Sequence, residues 1–320
     1  MNDQMIIGVD IGGTKVAAGL VSSEGEISHK TRVPMMATAD AEKGFAAVAA
    51  AVSAIFDAAP EARGAVKGIG ICSPGPLDPK TGVVLNPPNL PCWRNFPLVD
   101  IIHRTFGVPA RVDNDGNAAG LAEALWGAGV GYGNVFYATL GTGIGTGIVF
   151  NRRIYHGRTG SAAEGGHVTI DYHGPLCNCG KRGCIEALCS GPAIAVRARA
   201  ILAREGGASR ILGLAGGEPA QIRAEHVGQA WREGDQAAGR LLEETAHLLA
   251  IWLGNIVDLL EPDVIVVGGG VAELMNPFFD RILQQIPAWS INPRAGEIPL
   301  LMARYGADAG IAGAAALCGA

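Results

Sequence analysis

Asp10-Ile11-Gly12-Gly13-Thr14-Lys15 is the stretch of sequence that decides the fold, because it separates two runs of strand-like composition. The runs are Met5–Asp10 and Val16–Val21, so the glycine pair is predicted to form the turn of a β-hairpin. Phosphate oxygens accept hydrogen bonds from backbone N–H groups, and glycine permits their close approach because it has no Cβ. Thr14 adds a hydroxyl donor and Lys15 a positive charge. The turn is therefore a candidate for binding nucleotide phosphate, with a plain hairpin turn as the alternative.

A second strand–turn–strand pattern begins near the middle of the chain. Val135–Leu140 is typical of a strand, Gly141–Gly147 of a glycine-rich turn, and Ile148–Phe150 of a continuing strand. Two copies of one unit predict two duplicated α/β domains that face each other across a cleft. A chance similarity between two hairpins is the alternative. A third glycine turn, Gly268–Gly270, also follows a strand-like run.

The glycine turns do not fit the two commonest nucleotide-binding motifs. No segment matches the P-loop pattern G-x-x-x-x-G-K-[ST]. The first two turns lead into strands, whereas a dinucleotide-binding motif requires a helix after its glycines. The sequence therefore disfavours a dehydrogenase.

Composition and charge limit the function classes further. Of the 320 residues, 48% are hydrophobic and 17% are charged, which is enough for a sizeable core. The net charge of −5 argues against a nucleic-acid partner. No signal peptide is recognisable, and no apolar stretch reaches the roughly 20 residues that span a membrane. The seven cysteines are an odd number and fit a secreted disulfide framework poorly, so we expect a cytoplasmic protein.

Two aspartates beside predicted turns are candidates for phosphoryl-transfer chemistry. Asp10 ends the first strand and could hold Mg²⁺ on nucleotide phosphates through water, although an aspartate beside glycine commonly caps a turn. Asp115 could accept the proton of a sugar hydroxyl as that hydroxyl attacks phosphorus, with Asn114 orienting the sugar. Alternatively, Asp115 and Asn117 cap the helix that follows, and spacing alone favours this role.

A cysteine-rich loop, Cys177–Cys184, predicts a metal site. Its C-x-C-x₄-C spacing can place three thiolates around one tetrahedral Zn²⁺, for which His167 or His173 is the fourth ligand. Such a closed Cys₃His site is structural; three reduced cysteines without metal are the alternative. Glu164, His167 and Glu186 bracket the loop and could bind sugar hydroxyls, although such residues are commonly ordinary surface side chains.

Together these motifs resemble the ROK family of sugar kinases and repressors, essentially from end to end. The motifs are Asp10–Lys15, Leu140–Gly147, Glu164–His167 and the cysteine loop closing on Glu186, in the family's order. The resemblance implies an actin-like, hexokinase-type ATPase fold with two α/β domains that close on sugar and ATP. We expect a small N-terminal domain at residues 1–118, completed by a C-terminal helix at about 303–320. Residues 119–302 are expected to form a large domain with the zinc loop.

The resemblance also implies roles residue by residue. Asp115 matches the catalytic base. The sugar contacts are matched by Asn89, Asn114, Glu164, His167 and Glu186, in addition to Asp115 itself. The zinc ligands are matched by His167, Cys177, Cys179 and Cys184, a set that selects His167 over His173. The nucleotide-binding positions are Gly12, Thr14, Lys15, Thr142, Gly143 and Gly269, to which Asp10 and Gly13 of the first turn are added.

Branches of the family differ in activity and substrate. Its repressors carry an N-terminal DNA-binding domain, for which the early turn at Asp10 leaves no room, so we expect an enzyme that uses ATP with Mg²⁺. Ser73–Pro76 and Asn86–Leu90 resemble the glucokinase branch, whereas the N-acetylmannosamine kinase branch has Arg where this chain has Pro76. Glucose is the expected substrate, phosphorylated at its 6-hydroxyl. Other acceptors (N-acetylmannosamine, N-acetylglucosamine, fructose or allose), polyphosphate as donor and a sugar-sensing regulator without turnover are the alternatives. The resemblance suggests a homodimer.

Overall fold

The computed structural model of the protein describes residues 4–38, 40–205 and 209–319; residues 1–3, 39, 206–208 and 320 lie outside this description. The strands are β1 (Met5–Ile11), β2 (Lys15–Val21), β3 (Ile27–Pro34), β4 (Val66–Ser73), β5 (Leu77–Asp78), β6 (Val83–Val84), β7 (Ala110–Asn114), β8 (Asn134–Leu140), β9 (Ile144–Phe150), β10 (Arg153–Ile154), β11 (Val264–Gly268) and β12 (Leu300–Met302). The helices are α1 (Ala41–Ala58), α2 (Leu98–Phe106), α3 (Asp115–Trp126), α4 (Ile185–Cys189), α5 (Gly191–Glu205), α6 (Arg210–Leu214), α7 (Ala224–Arg232), α8 (Gln236–Leu260), α9 (Gly270–Met275), α10 (Phe279–Gln285) and α11 (Ala309–Gly319). Within the described ranges, no helix has both the length and the apolar character needed to cross a membrane.

The first sheet has five strands in the order β3-β2-β1-β4-β7. β1 to β3 are antiparallel neighbours, whereas β4 and β7 run parallel to β1. At the carboxyl ends, Asp10 is in register with Cys72, and Ser73 is in register with Asn114. Parallel strands end at the same edge of a sheet, which is where α/β proteins commonly bind ligands. The sheet therefore brings Asp10 and Asn114 to one edge.

The hairpin predicted around the glycine pair is confirmed. β1 and β2 pair antiparallel from Ile6 with Val21 to Ile11 with Val16, and the N–H of Gly12 donates to the oxygen of Lys15 at 2.9 Å.

The two faces of the first sheet are covered by different helices because side chains alternate along a strand. Ile7 and Val9 of β1 belong to the same buried cluster as Val48 and Val52 of α1. Gly8, which lies between Ile7 and Val9, faces α11: a Cβ on it would lie 2.0 Å from the oxygen of Ile311.

Close packing of α11 depends on a matched glycine pair. Gly8 is in register with Gly70 on β4, where a Cβ would lie 1.7 Å from the oxygen of Ala314. Both positions require glycine because no side chain fits between strand and helix. The C-terminal helix is thus an integral layer against β1 and β4.

The second sheet repeats the strand order of the first, as β10-β9-β8-β11-β12. In each sheet the earliest strand is central, the next two lie on one side and the last two on the other. This is the duplicated α/β pattern predicted from the two glycine hairpins. The predicted extent of the second turn, Gly141–Gly147, is wrong: the N–H of Gly141 donates to the oxygen of Gly143 at 2.9 Å, and β9 begins at Ile144.

The chain divides into two compact units. Unit 1 comprises Met1–Tyr137, Gly147–Ala163 and Ala303–Ala320, and unit 2 comprises Ala138–Thr146 and Glu164–Met302. The expected boundary at residues 118 and 119 differs from this division, in which the whole of α3 lies in unit 1 and packs closely on α11. A Cβ on Gly313 would lie 2.6 Å from the backbone nitrogen of Ala119. The whole of α3 therefore belongs with the first sheet.

Candidate functional site

The glycine turn of unit 1 contacts the proline-rich loop that carries Asn89. A Cβ on Gly13 would lie 2.9 Å from the backbone oxygen and 3.6 Å from the Cβ of Asn89. Asn89 is exposed between the buried residues Pro87 and Leu90, which close a turn through a 3.0 Å backbone hydrogen bond. This turn therefore holds the polar side chain of Asn89 next to the glycine turn.

Asp10 is a partly buried carboxylate at the end of β1. The thiol of Cys72 donates to its Oδ1 at 3.3 Å, and its Cγ lies 2.4 Å from the Cβ position of Gly310 in the first turn of α11. Burial raises the pKa of Asp10, while the Cys72 hydrogen bond and the charges of Lys15 and Arg32 act to lower it. Because burial penalises the ionised form, a nearby cation would be stabilising here. The side chain therefore suits a water-mediated contact with Mg²⁺.

Asp115 is the first residue of α3 and is exposed. The helix is capped by the preceding Asn114, whose Oδ1 accepts from the N–H of Gly116 at 2.9 Å, and Oδ1 of Asp115 accepts from the same group at 2.8 Å. Asn117, the other predicted cap, is instead 2% exposed and donates to Asp113 at 3.0 Å. The cap is thus mainly Asn114, and Asp115 presents its carboxylate beside it at the edge of the first sheet.

In unit 2, the segment from Glu164 to His167 is held on both sides. The N–H of Gly165 donates to Oγ1 of Thr146 on β9 at 2.8 Å, and Nε1 of the buried Trp252 on α8 donates to the oxygen of Gly165 at 3.0 Å. Glu164 is exposed and His167 is partly buried. The fixed backbone therefore presents both side chains from a defined position within unit 2.

Glu186 on α4 joins this segment to the second glycine turn. Its Oε2 accepts from the N–H of Ile144 at 2.9 Å, and its Oε1 lies 3.9 Å from Nδ1 of His167. A Cβ on Gly143 would lie 2.7 Å from Oε2, so this carboxylate needs a glycine at that position of the turn.

Four side chains of unit 2 form a cluster with the donor atoms of a metal site. The ligand atoms of His167, Cys177, Cys179 and Cys184 all lie within 4.8 Å of one another. Sγ of Cys177 is 3.7 Å from Nδ1 of His167, and Sγ of Cys179 is 3.6 Å from Sγ of Cys184. Zn–S bonds of about 2.3 Å in a tetrahedron place sulfurs about 3.8 Å apart, so the cluster could hold zinc. His173 is exposed and lies against Tyr172 instead.

The cysteine loop closes on itself and on His167. The N–H of Cys177 donates to the oxygen of Lys181 at 2.7 Å, and Nζ of Lys181 donates to the oxygen of His167 at 2.5 Å. Burial, together with the neighbouring thiols of Cys179 and Cys177, raises the pKa of Cys184 to about 12. Three facing thiols ionise together only if a cation compensates their charge, which is what a metal ion would supply.

A pocket of about 850 Å³ lies entirely within unit 2. Gly141 and Thr142 of the glycine turn form part of its wall, and the start of α5 is tied to that turn because the N–H of Gly191 donates to the oxygen of Gly141 at 2.8 Å. Its volume falls within the range of small-molecule sites. The charged residues of the pocket wall are Arg199, Arg223, Glu225, Arg232 and Glu273, none of which the sequence predicts as a site residue. Arg199 lies on α5, Glu225 and Arg232 on α7 and Glu273 on α9, whereas Arg223 directly precedes α7.

The predicted site residues divide between the two units. Unit 1 carries Asp10, Gly12, Gly13, Thr14, Lys15, Asn89, Asn114 and Asp115. Unit 2 carries Thr142, Gly143, Glu164, His167, Cys177, Cys179, Cys184, Glu186 and Gly269. Within unit 2, Gly269 precedes α9 at a φ of 91°, where a Cβ would lie 2.5 Å from the oxygen of Leu140. Gly269 therefore packs on the end of β8, directly before the second glycine turn.

Comparison with known proteins identifies the family that this chain resembles over nearly its whole length. The model of the ROK family matches residues 6–320, nearly the whole chain. The glucokinase of Thermotoga maritima is 34% identical over 98% of this chain and 96% of its own length. The N-acetylmannosamine kinase of Shigella flexneri is also 34% identical, over 98% of this chain and 97% of its own length.

A solved structure extends the similarity to the fold. The ROK family glucokinase of Streptomyces griseus, in complex with glucose and AMPPNP, is 37% identical, has a TM-score of 0.80 and is matched over 98% of both chains. The predicted actin-like, hexokinase-type fold is therefore confirmed.

Proposed function

Because the chain belongs to the ROK family, we propose that it is a glucokinase, which transfers phosphate from ATP to the 6-hydroxyl of glucose. The observation that carries the proposal is the exposed carboxylate of Asp115 at the start of α3, at the sheet edge where Asp10 precedes the glycine turn. In phosphoryl transfer, an aspartate in this role accepts the proton of the attacking hydroxyl. The glucose and AMPPNP bound by the similar Streptomyces griseus enzyme support this choice of substrates.

In the proposed reaction, Asp115 acts as the general base. It accepts the proton of the glucose 6-hydroxyl while that oxygen forms a bond to the γ-phosphorus of ATP. The bond between the γ-phosphorus and the bridging oxygen breaks, and ADP leaves with that electron pair. The proton then passes from Asp115 to solvent. Positioning and charge neutralisation supply most of the rate enhancement in such transfers.

We assign the nucleotide contacts to both glycine turns. In unit 1 they are Gly12, Gly13, Thr14 and Lys15, and in unit 2 they are Thr142, Gly143 and Gly269. Thr142 lines the 850 Å³ pocket, which supports that pocket as the nucleoside site. Asp10 would hold the Mg²⁺ of ATP through water, and the ion supplies charge neutralisation on the phosphates.

We assign the sugar contacts to polar side chains of both units. In unit 1 they are Asn89, Asn114 and Asp115, and in unit 2 they are Glu164, His167 and Glu186. Hydroxyl groups are recognised by donors and acceptors of fixed geometry, and the backbone hydrogen bonds around Asn114, Gly165 and Glu186 supply that rigidity.

We infer that His167, Cys177, Cys179 and Cys184 bind one structural Zn²⁺. Three cysteines and one histidine fill a tetrahedral site and leave no position open for chemistry. The proposed role is to fix the cysteine loop, and through it His167 and Glu186.

N-acetylmannosamine kinase activity is the second candidate. The equal identity to the Shigella flexneri kinase favours it, whereas Pro76, where the sequence resemblance predicts arginine for that branch, opposes it. By family resemblance we also propose a cytoplasmic homodimer. All seven cysteines lie in the described residues without a disulfide bond, which suits a reducing compartment. Light scattering after size exclusion should then give a mass near twice 32.9 kDa.

A sugar panel tests the function directly. With ATP as donor, ADP release is measured for glucose, N-acetylmannosamine, N-acetylglucosamine, fructose and allose. With polyphosphate as donor, formation of the sugar phosphate is measured instead. We expect the highest kcat/KM with ATP and glucose. A higher kcat/KM with N-acetylmannosamine than with glucose would make N-acetylmannosamine the preferred substrate. Sugar binding without phosphorylation by any donor would contradict the assignment as a kinase.

A further inference from the structure

Asp113, two residues before Asp115, is a buried carboxylate with both oxygens engaged. It is 3% exposed. Its Oδ1 accepts from the N–H of Asn114 at 2.8 Å and from Nδ2 of Asn117 at 3.0 Å, and its Oδ2 lies 2.5 Å from Nε2 of His156. The carboxylate therefore links residues on both sides of Asp115 to a third segment of unit 1.

His156 follows β10 and comes from 43 residues further along the chain than Asp113. The hydrogen bond to Asp113 raises the pKa of His156, opposed by burial and by the charge of Lys80, while the charge of Asp113 adds to the rise. His156 therefore favours its protonated form, which compensates the buried carboxylate. Removing one partner of such a pair leaves an uncompensated buried charge.

The pair lines a cavity of about 920 Å³ within unit 1, which gives protons access to His156. The other charged side chains of that wall are Lys80 after β5, Asp100 on α2, Arg111 on β7, Arg152 between β9 and β10, and Arg153 on β10. The acid that is hydrogen-bonded to His156 is Asp113, whereas the charge of Lys80 favours neutral imidazole. The protonated imidazole of His156 is therefore stabilised by the carboxylate of Asp113.

We propose that His156 is a positioning residue for phosphoryl transfer, because its contact with Asp113 fixes the corner between β7 and α3 that carries Asp115. This inference rests on the proposed function. Asp113 orients the backbone of Asn114 and the side chain of Asn117, and both Asn114 and Asp115 in turn accept from the N–H of Gly116. A shift of about 1 Å in a catalytic group can cost about a hundredfold in rate.

Because His156 must be protonated to pair with Asp113, this contact depends on pH. The pKa of His156 in the folded protein is raised above 6.5. The charged pair therefore contributes its full stabilisation below about pH 6.5, and this stabilisation is lost as pH rises through the folded-state pKa. The wild-type kcat should therefore carry an alkaline decline that depends on His156.

The test compares His156→Ala, His156→Gln and His156→Arg in kcat, in KM for ATP and in the pH profile. We expect His156→Ala to lower kcat about ten- to a hundredfold with little change in KM for ATP. His156→Arg keeps a permanent charge and His156→Gln a neutral donor, so both should recover part of kcat and lose the alkaline decline. His103→Ala, an exposed histidine on α2, is the matched control and should match wild type. Thermal melting establishes that each variant is folded at the assay temperature.

Two further results separate this inference from the proposed function. If Asp115→Asn is inactive while His156→Ala keeps kcat within twofold of wild type, the positioning role is wrong and the kinase assignment stands. If Asp115→Asn keeps wild-type turnover, Asp115 is not the general base, and the positioning role that acts through Asp115 fails with it. An alkaline decline that persists unchanged in His156→Gln and His156→Arg would also overturn the positioning role.

Discussion

Glu186 connects the cysteine cluster to the second glycine turn through its two carboxylate oxygens. Oε2 accepts from the N–H of Ile144 at 2.9 Å, and Oε1 lies 3.9 Å from Nδ1 of His167. Cys184 immediately precedes the helix that carries Glu186, so the shape of the cysteine loop sets the position of this carboxylate. A metal in the cluster would thus act on the reaction only through the geometry of its neighbours.

Replacing Glu186 should damage glucose binding and the glycine turn together. We expect Glu186→Ala to lower kcat/KM for glucose by about a hundredfold or more, because it removes a proposed sugar contact and leaves the N–H of Ile144 without its acceptor. Steady-state kinetics with varied glucose measure this effect. Glu218→Ala, at an exposed position, is the control. A kcat/KM within threefold of wild type would contradict the role of Glu186.

Loss of the metal should loosen the loop before it unfolds the protein. The purified enzyme should hold about one zinc per chain by elemental analysis. Cys179→Ser replaces the exposed thiol of the cluster, and we expect it to lower zinc content and to reduce the melting temperature by about 5 °C or more. Cys92→Ser, outside the cluster, should keep its zinc. Folded, active protein with less than half an equivalent of metal would count against a structural zinc site.

Asp10 should oppose stability while it supports catalysis. Burial raises its pKa, so the ionised form is disfavoured, and stability falls as pH rises from 3.8 through the folded pKa. Asp10→Asn should therefore raise the melting temperature of the ligand-free protein at pH 7, with a gain that shrinks towards pH 4. Loss of a Mg²⁺ contact should lower kcat by about a hundredfold or more.

The control for Asp10 is Asp57→Asn on the exposed side of α1, which should change neither quantity. A lower melting temperature for Asp10→Asn would indicate that the carboxylate caps the turn, and unchanged turnover would contradict the Mg²⁺ contact.

Local motifs of the site could be predicted from the sequence, whereas contacts between distant segments could not. The hairpin at Gly12 and Gly13 follows from turn chemistry within a short window. The sequence does not predict the start of β9 at Ile144, because glycine-rich sequence does not distinguish a turn from a strand packed closely against its neighbours. The His156 and Asp113 contact joins segments 43 residues apart, so no local pattern reports it.

The cap of α3 shows the same limit at short range. Asn114, Asp115 and Asn117 are all suitable capping residues by type, and only the backbone geometry selects Asn114. The pocket of unit 2 is a further case, because its wall combines the second glycine turn with α5 and α7, which are separate in sequence.

The most direct test of the central claim is glucose-dependent ADP release by Asp115→Asn. Asparagine preserves the size and the acceptor oxygen that contacts the N–H of Gly116, but it cannot take up the proton of the sugar hydroxyl. We predict a folded protein that keeps its zinc and binds glucose, with kcat reduced by about a thousandfold or more. Turnover within tenfold of wild type would contradict Asp115 as the general base.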